Sequence, residues 1–563
     1  MDNRPSTSVR EGKLDRRDLL LCMVLLTIAA VVFGKGITIG GPRGDAGSHM
    51  MDGVLIYDWA CAGPSAWLDP VGFAVRQYSH YPSLGIGSVY PPGFAVVEAS
   101  FFAIFGVSAI TARLCVLTFA LLALCGLFIL VRGFTSRLTS ACAVVSLLAM
   151  PSIVHWTRQT VLEMPTLAVL IWSAVAACYY YRRPTSARLA LWIFLSVAAV
   201  MFKQTAVFIF VPYAVLLLAW TIRKQAPLRH IVVAGVASMA AVGAYFILIS
   251  SDGPGPGVFD LILKGRSPWV MLSAQSWLYY ALRAPNEMGL WIVVFGVIGL
   301  VVALRRPGPL AALMLLWFVS CYGMFSLIQE KEPRYLYFGL LPVAVWAGIG
   351  MGWLLARVPH PRVRGVAVTS LALLVVVTAF RQPIRYRPDY GPVVLAHRDE
   401  IVGKVVLFDG LRDADFTFTL RQHLGRRRCV VVRASKLLYA CATKPQYRFQ
   451  SYVESADDLN GILKDFAFDS IIVERHPQMN LREERLLRAS LKSSEDYVLA
   501  ATHAIRAAPW IPPTSMTYVD VDVYLPRRPT ERRVKDYDIP IPLDNRIISV
   551  SLDELLADIE PST

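Results

Sequence analysis

The sequence lacks the usual features of a soluble enzyme. Only 17% of its 563 residues are charged, whereas 55% are hydrophobic, and an ordinary globular domain has more charge and less apolar character. It contains no G-x-G-x-x-G and no G-x-x-x-x-G-K-[ST] motif, so neither type of nucleotide site is supported. The nine cysteines follow no metal-ligand spacing, and a disulfide between Cys429 and Cys441 is left open.

Acidic residues are missing from the short basic turns between the apolar runs of residues 19–380. Membrane proteins retain Lys and Arg in their cytoplasmic loops, so this sorting predicts the basic turns inside and the carboxylates outside. The same turns carry much of the net charge of +15, so a nucleic-acid partner is not predicted. The basic turns are Arg132/Arg137, Arg182/Arg183/Arg188, Arg223/Lys224/Arg229, Arg305/Arg306 and Arg357/Arg362/Arg364.

The apolar runs predict about eleven membrane spans, since one span needs about 20 residues. The segment from Pro92 to Ile110 is also apolar, but a span there would move every later basic turn to the outside. We therefore expect it to lie at the interface or to re-enter the membrane. The expected spans are 19–39, 111–131, 139–155, 161–181, 188–202, 205–222, 230–250, 288–304, 309–328, 336–357 and 365–380.

The fold class predicted is a polytopic α-helical membrane protein with a C-terminal extracytoplasmic α/β domain, in a bacterial-type plasma (inner) membrane. Residues 1–18 form a cytoplasmic N-terminus. Residues 19–380 form the transmembrane domain, with a large first outer loop at 40–110. Residues 381–528 alternate short strand and helix patterns, which favours an α/β domain. The predicted strands are 404–409, 429–433, 470–474 and 517–525, and the predicted helices are 413–423, 456–466 and 483–491. Residues 529–563 are a polar tail.

This topology brings several polar segments to the same side of the membrane, where they are expected to line one cavity. Polar residues at the mouths of spans are costly unless they face water or each other, and they often mark function. The segments are the loop 40–91, Arg158 with Glu163, Lys203, the loop 251–287 and the run 329–335.

An ordered set of motifs then resembles the GT-C class of membrane glycosyltransferases. The nearest resemblance is to glycosyltransferase family 39 relatives, akin to protein O-mannosyltransferases and the aminoarabinose transferase of lipid A. An acid, Asp45, lies in the first outer loop, a Tyr90-Pro-Pro segment follows, and Arg113-Leu begins the next span. Glu332-Pro-Arg-Tyr335 then precedes a Leu-Pro-containing span. The resemblance covers roughly residues 15–380.

The resemblance implies transfer of a hexosyl- or pentosyl-type sugar from a polyprenyl-phosphate carrier to an acceptor outside the cytoplasm. An acceptor hydroxyl needs a carboxylate to take its proton, and the leaving phosphate needs a cation. Asp45 matches the family's first-loop acid, with Asp52 in reserve. Many relatives have Asp-Glu where this chain has Asp45-Ala46, so the binding of a divalent cation by Asp45, His49 and Asp52 is left open.

Further substrate-binding residues are expected, each beside a structural alternative. Lys203 and Arg334 are the candidates for the lipid phosphate, against snorkelling for Lys203 and a salt bridge from Arg334 to Glu330 or Glu332. Glu163 is a candidate for the acceptor site, against a pair with Arg158. The complete set is His49, Tyr90, Arg113, Arg158, Glu163, Lys203, Glu332, Arg334 and Tyr335.

Two other function classes are compatible with the sequence. A transporter or flippase of lipid-linked glycans is the first, although no half-to-half similarity of the kind found in transporters is present. A non-catalytic membrane anchor that presents the α/β domain is the second. The sequence does not identify the sugar or the acceptor, which is a protein, a lipid or a cell-wall glycan.

Overall fold

The computed structural model divides the chain into two compact units. The helical unit comprises residues 1–37, 114–248 and 260–384, and the α/β unit comprises residues 38–113, 249–259 and 385–563. The structure describes residues 14–41, 45–83, 90–250, 272–305, 307–328, 331–383, 389–441, 449–475, 481–506, 518–529, 531–540 and 547–560.

The helical unit confirms the polytopic fold. Among the described residues, seven helices are long and apolar enough to cross a membrane, and two bent helix pairs pass the same test. Two shorter apolar helices, Ser186–Phe202 and Leu228–Gly243, lie where further spans were expected. Each of the eleven predicted spans thus coincides with an apolar helix or bent pair, and among the described residues seven to nine of these are long enough to cross a membrane. The helices and 3-10 turns are Arg16–Gly34, Ala109–Arg132 (which begins in the α/β unit), Arg137–Ala149, Pro151–Thr157, Glu163–Arg182, Ser186–Phe202, Gln204–Ile209, Phe210–Ile222, Leu228–Ser250, Ala274–Met288, Leu290–Arg305, Pro309–Leu327, Pro333–Gly339, Leu340–Ala356 and Pro361–Arg381.

Charged side chains mark the two ends of the helical unit. At one end, Asp18 is buried and accepts hydrogen bonds from Arg132 at 3.1 Å and Arg137 at 2.6 Å. At the other end, Lys35 donates to the carbonyl of Phe380 at 2.8 Å. The first basic turn therefore lies beside the start of the first helix, as the charge sorting predicts.

Two helix pairs bend sharply because of proline and glycine. Arg137–Ala149 and Pro151–Thr157 meet at 65°, since Pro151 cannot donate a backbone hydrogen bond to continue the first helix. Ala274–Met288 and Leu290–Arg305 meet at 115° around Gly289, whose φ of +88° disfavours any residue with a side chain. The predicted outer loop 251–287 thus contains a helix, and its part 251–271 lies outside the described residues.

The α/β unit joins the first loop to the C-terminal part of the chain. Its strands are β1 (Val405–Asp409), β2 (Val430–Arg433), β3 (Tyr439–Cys441), β4 (Phe449–Ser451), β5 (Ser470–Arg475), β6 (Tyr497–Arg506), β7 (Tyr518–Pro526), β8 (Asp536–Pro540) and β9 (Ile547–Ser551). The main sheet has the order β2-β1-β5-β7-β6, in which β2, β1 and β5 are parallel and β7 is antiparallel to both β5 and β6. The pairs β3–β4 and β8–β9 form two small sheets. The helices are Asp45–Cys61, Pro64–Leu68, Pro70–His80, Gly93–Phe105, Gly391–Ala396, Arg398–Ile401, Asp413–Leu424, Ala434–Leu437, Ala456–Phe466, Arg482–Ser493 and Leu552–Ala557.

One hydrophobic core connects the first loop to the main sheet. Met50 and Val54 of the first-loop helix belong to the same buried cluster as Phe416 and Val431 of the C-terminal part. The first loop therefore folds with residues that follow it by more than three hundred positions. The α/β unit combines segments that the predicted domain boundaries at 380 and 528 separate. Those boundaries stay a prediction.

The polar tail is folded against the α/β unit. Asp558 and Glu560 form ion pairs with Arg427 at 2.6 and 3.2 Å, and Glu560 also pairs with Arg426 at 2.5 Å. Cys429 is a buried free thiol, and the side chain of Cys441 lies outside the described residues.

Candidate functional site

The first-loop acids lie on a helix that begins at Asp45. Asp45, His49 and Asp52 occupy positions i, i+4 and i+7 of Asp45–Cys61, so all three belong to one helical face. Asp45 is half-buried, whereas His49 and Asp52 are buried. A carboxylate in the first turn of a helix interacts favourably with the helix dipole.

Glu98 adds a third carboxyl group to this part of the α/β unit. It is completely buried in the helix Gly93–Phe105, and its side chain lies against Gly53, directly after Asp52. Among the described residues, neither carboxyl oxygen of Glu98 has a hydrogen-bond partner. Burial, and secondarily the charge of Asp52, raises the pKa of Glu98 well above its usual value. Its surroundings therefore favour the protonated form of Glu98 over the ionised form.

His49 and Arg113 are both engaged with the first loop. The His49 ring packs edge-on against the ring of Tyr90, with centroids 4.6 Å apart. The buried guanidinium of Arg113 donates to the carbonyls of Gly40 at 2.7 Å and Gly41 at 2.6 Å. Arg113 thus anchors the start of this loop, and its predicted role in substrate binding stays a prediction.

A separate ion cluster forms within the helical unit around Glu163. This buried residue begins the helix Glu163–Arg182, and its carboxylate accepts a hydrogen bond from Lys203 Nζ at 2.6 Å. Arg334 Nε lies 4.0 Å from the same carboxylate oxygen. Lys203 is buried and ion-paired, so simple snorkelling does not describe it. Two cations from distant parts of the chain thus converge on one carboxylate.

Arg334 also contacts the residues around it in the turn Pro333–Gly339. Its Nε lies 2.5 Å from Glu332 Oε2, and its guanidinium lies over the rings of Trp156 and Tyr335, 5.9 Å from each centroid. The Tyr335 ring stacks on Phe325. The predicted salt bridge with Glu332 is therefore present, and Glu330 lies outside the described residues.

Arg158 does not pair with Glu163, contrary to the structural alternative considered for these two residues. Its guanidinium donates to the carbonyls of Val32 at 2.8 Å and Gln382 at 3.1 Å. Both carbonyls follow or end apolar helices, where main-chain acceptors have no helical partner. Arg158 therefore ties the ends of the first and last spans together, while Lys203 takes the position beside Glu163.

The described residues give no cluster suited to a metal ion. Within the described ranges, no group of three or more His, Cys, Asp and Glu side chains is arranged to hold one. Asp45, His49 and Asp52 share a helical face without forming such a group.

An apolar cavity of about 610 Å³ opens beside the helix Ser186–Phe202. It lies between this helix, Phe210–Ile222 and Leu228–Ser250, and its lining includes Trp192, Ser196, Tyr213 and Leu217. The same helix ends at Lys203, which is its C-cap residue. One element of the helical unit thus carries both an apolar groove and a buried cation.

Sequence reasoning missed two residues of these clusters. Glu98 was not among the candidate site residues, although a lone carboxyl group in an apolar segment is itself a functional signal. Trp156 gave no signal, since its contact with Arg334 joins segments far apart in the chain. The expectation that the first-loop acids and the Glu163 cluster line one cavity stays a prediction.

Comparison with known proteins identifies the fold. No protein-family model and no curated protein sequence matches the chain. A crystal structure of ArnT from Cupriavidus metallidurans bound to undecaprenyl phosphate is similar over 90% of this chain and 97% of that chain, with a TM-score of 0.56 and 14% identity. The apo state of the same protein gives the same TM-score and identity over 89% of this chain. The oligosaccharyltransferase AglB from Archaeoglobus fulgidus matches 74% of this chain and 64% of that chain at 10% identity, with a TM-score of 0.49. The chain therefore has the fold of a GT-C class membrane glycosyltransferase, as the motif resemblance predicted.

Proposed function

We propose that this protein is a glycosyltransferase that moves a hexosyl or pentosyl group from a polyprenyl-phosphate donor to an acceptor hydroxyl, with inversion. The reaction takes place on the extracytoplasmic side of a bacterial-type inner membrane, with the N-terminus in the cytoplasm. The fold supports this proposal, because ArnT, which has a similar fold, was crystallised with undecaprenyl phosphate. The transporter alternative has no comparable support.

The observation that carries the proposal is the convergence of Lys203 and Arg334 on Glu163. Ionisable groups buried in an apolar helical unit are costly and usually functional. Glu163 and Glu332 hold the two cations in place before the donor arrives. As the sugar leaves, negative charge grows on the phosphate, and preorganised cations stabilise that transition state more than the ground state.

The apolar cavity suits the lipid part of the donor. Its lining is almost entirely hydrophobic, so an isoprenoid chain that enters it from the bilayer would stay in an apolar environment. Lys203 is the C-cap residue of the helix beside the cavity. A lipid tail in the cavity and a phosphate at Lys203 would therefore both contact this helix or its end.

Asp45 is the proposed general base. The acceptor hydroxyl oxygen forms a bond to the anomeric carbon while the bond from that carbon to the phosphate oxygen breaks. The hydroxyl proton passes to the Asp45 carboxylate, and the polyprenyl phosphate leaves with the electron pair. A single displacement of this kind inverts the anomeric configuration. Asp52 is the reserve candidate for the base.

Replacement of Asp45 by Asn tests the proposal. With the full-length protein in detergent or vesicles and a radiolabelled polyprenyl-phosphate sugar, we expect Asp45→Asn to lower the transfer rate by about 10²–10⁴-fold. The matched control is Asp69→Asn. Asp69 is an N-cap residue of the same loop, and Asn caps a helix about as well as Asp, so transfer should persist. Full activity of Asp45→Asn would remove Asp45 from the mechanism.

A further inference from the structure

We infer that the C-terminal α/β domain positions the candidate base, through an Arg421–Asp58 clamp and a close contact at Gly47. This inference rests on the proposed function. It makes Arg421 and Asp58 positioning residues for Asp45, and Gly47 the point of close helix contact. All contacts involved lie within the α/β unit.

The helix that carries Asp45 packs on the helix Asp413–Leu424. Near the start of Asp45–Cys61, a side chain at Gly47 would come within 2.5 Å of Asp415 Oδ1 and 2.6 Å of the Ala414 main-chain carbon. A Cβ atom essentially never approaches other atoms so closely. Gly47 lies two residues after Asp45, so the absence of a side chain allows the C-terminal helix to approach the first turn.

A bidentate ion pair holds the C-terminal half of the helix Asp45–Cys61. Arg421 donates from Nε to Asp58 Oδ2 at 3.0 Å and from a terminal nitrogen to Asp58 Oδ1 at 2.5 Å. Asp58 is buried, so water screens the pair little. The planar guanidinium fork fixes both distance and direction. The contacts at Gly47 and Asp58 therefore fix the helix near both of its ends.

The chain beyond the helix is attached to the same domain. Tyr81 donates from its hydroxyl to the carbonyl of Gly425 at 3.2 Å and accepts from the backbone of Arg428 at 3.1 Å. Arg433 donates to the carbonyl of Pro82 at 2.7 Å. The first loop is thus also held after its helices, and rotation about the Gly47 contact would require these bonds to break.

Loss of this support should reduce catalysis more than donor binding. A displacement of about 1 Å at a catalytic group costs on the order of 10²-fold in rate. For Arg421→Gln we expect the rate at saturating substrate to fall by about 10- to 100-fold. The donor KM should change by less than about threefold, because Lys203 and Arg334 are untouched.

The experiment compares this variant with Arg475→Gln in the full-length protein. Arg475 also pairs with an acid, Asp522, at 2.5 Å, and among the described residues both of its ion pairs, with Asp520 and Asp522, lie within the main sheet. Amide hydrogen exchange of residues 45–61 is the second readout and needs no enzymatic activity. We expect exchange there to accelerate about tenfold or more in Arg421→Gln and to stay unchanged in Arg475→Gln.

Two graded variants cover the case in which Arg421→Gln does not fold. Arg421→Lys keeps the charge without the fork and should recover part of the lost rate. Gly47→Ala should lower the rate, whereas Gly461→Ala, with no atom near its added methyl group, should not.

The two readouts separate the inference from the proposed function. Unchanged exchange in 45–61 would overturn the clamp, whatever the enzyme does. Faster exchange with an unchanged transfer rate would overturn the positioning role. A wild-type protein without transfer activity would end the proposed function, while the exchange result would still decide whether the clamp exists.

Discussion

Glu163 and Glu98 are both buried glutamates, but their surroundings differ in charge. Glu163 begins a helix of the helical unit, and Glu98 lies within a helix of the α/β unit. Glu163 in the helical unit accepts a hydrogen bond from Lys203 and lies close to Arg334. Glu98 in the α/β unit lies against Gly53 and beside the charge of Asp52. The first environment supplies cations to a carboxylate, whereas the second favours a protonated carboxyl group.

Burial alone therefore does not decide what a carboxyl group does. A buried charge is stable only when it is paired and hydrogen-bonded, as at Glu163. A buried acid beside another acid favours its protonated form, as at Glu98.

The largest effect is expected when Glu163 loses its cation. Lys203→Met should lower the transfer rate by about 10²–10³-fold, because the leaving phosphate loses a cation. It should also destabilise the protein by about 3–5 kcal/mol, because Glu163 remains buried with its main partner removed. Transfer assays and chemical unfolding in detergent measure the two losses.

A double variant separates these two consequences. Lys203→Met combined with Glu163→Gln removes the charge of both partners, so most of the stability should return while transfer stays low. If transfer also returned, the lysine would serve only the fold, and the comparison between the two glutamates would lose its functional meaning.

A smaller effect is expected from crowding Glu98. In Gly53→Ala the added methyl group would overlap the Glu98 carboxyl group, and overpacking of this kind costs about 1–3 kcal/mol. Gly235→Ala is the matched control, since that helical glycine has open space around it. The free energy of unfolding should fall below that of the wild type in Gly53→Ala. In Gly235→Ala it should equal or exceed that of the wild type. An equal gain in both would show that the Glu98 pocket is not tightly packed.

The smallest effect concerns protonation of Glu98. Its pKa is raised in the folded protein, so its contribution to stability is complete below the unfolded value of about 4.3 and is lost as the pH rises through the folded value. Glu98→Gln mimics the neutral acid and should lose less stability than the wild type as the pH rises. Near pH 4 the two proteins should agree within about 1 kcal/mol.

Unfolding measured from pH 4 to pH 8 tests this expectation. Parallel stability curves for the wild type and Glu98→Gln would mean that Glu98 is ionised when folded. Glu163→Gln provides the contrast, since it should destabilise the protein over the whole range.

Much of the fold was predictable because hydropathy and charge act locally along the chain. The predicted helix Ala456–Phe466 has the same bounds in the structure, and strands β1 and β5 agree to within a residue at each end. Strand β6 (Tyr497–Arg506) was not predicted, because its alanines and charged or polar residues have low β-propensity. Tertiary pairing with β7 supplies what its own sequence does not.

The candidate site was less predictable than the fold. Lys203, Glu163, Glu332 and Arg334 were each recognised as candidates, and a pair with Arg158 was the structural alternative considered for Glu163. Arg158 is only five positions from Glu163 in the sequence, whereas Lys203 reaches Glu163 only through the packing of two spans. Glu98 was overlooked because its importance depends on its contact with Gly53.

Residue types close together in the chain specify the spans, the segregation of charges and the α/β character of the C-terminal part. The pairing of Glu163 with Lys203 and of Asp58 with Arg421 depends instead on three-dimensional packing. Such pairs join residues tens to hundreds of positions apart, and their choice depends on how helices pack in three dimensions.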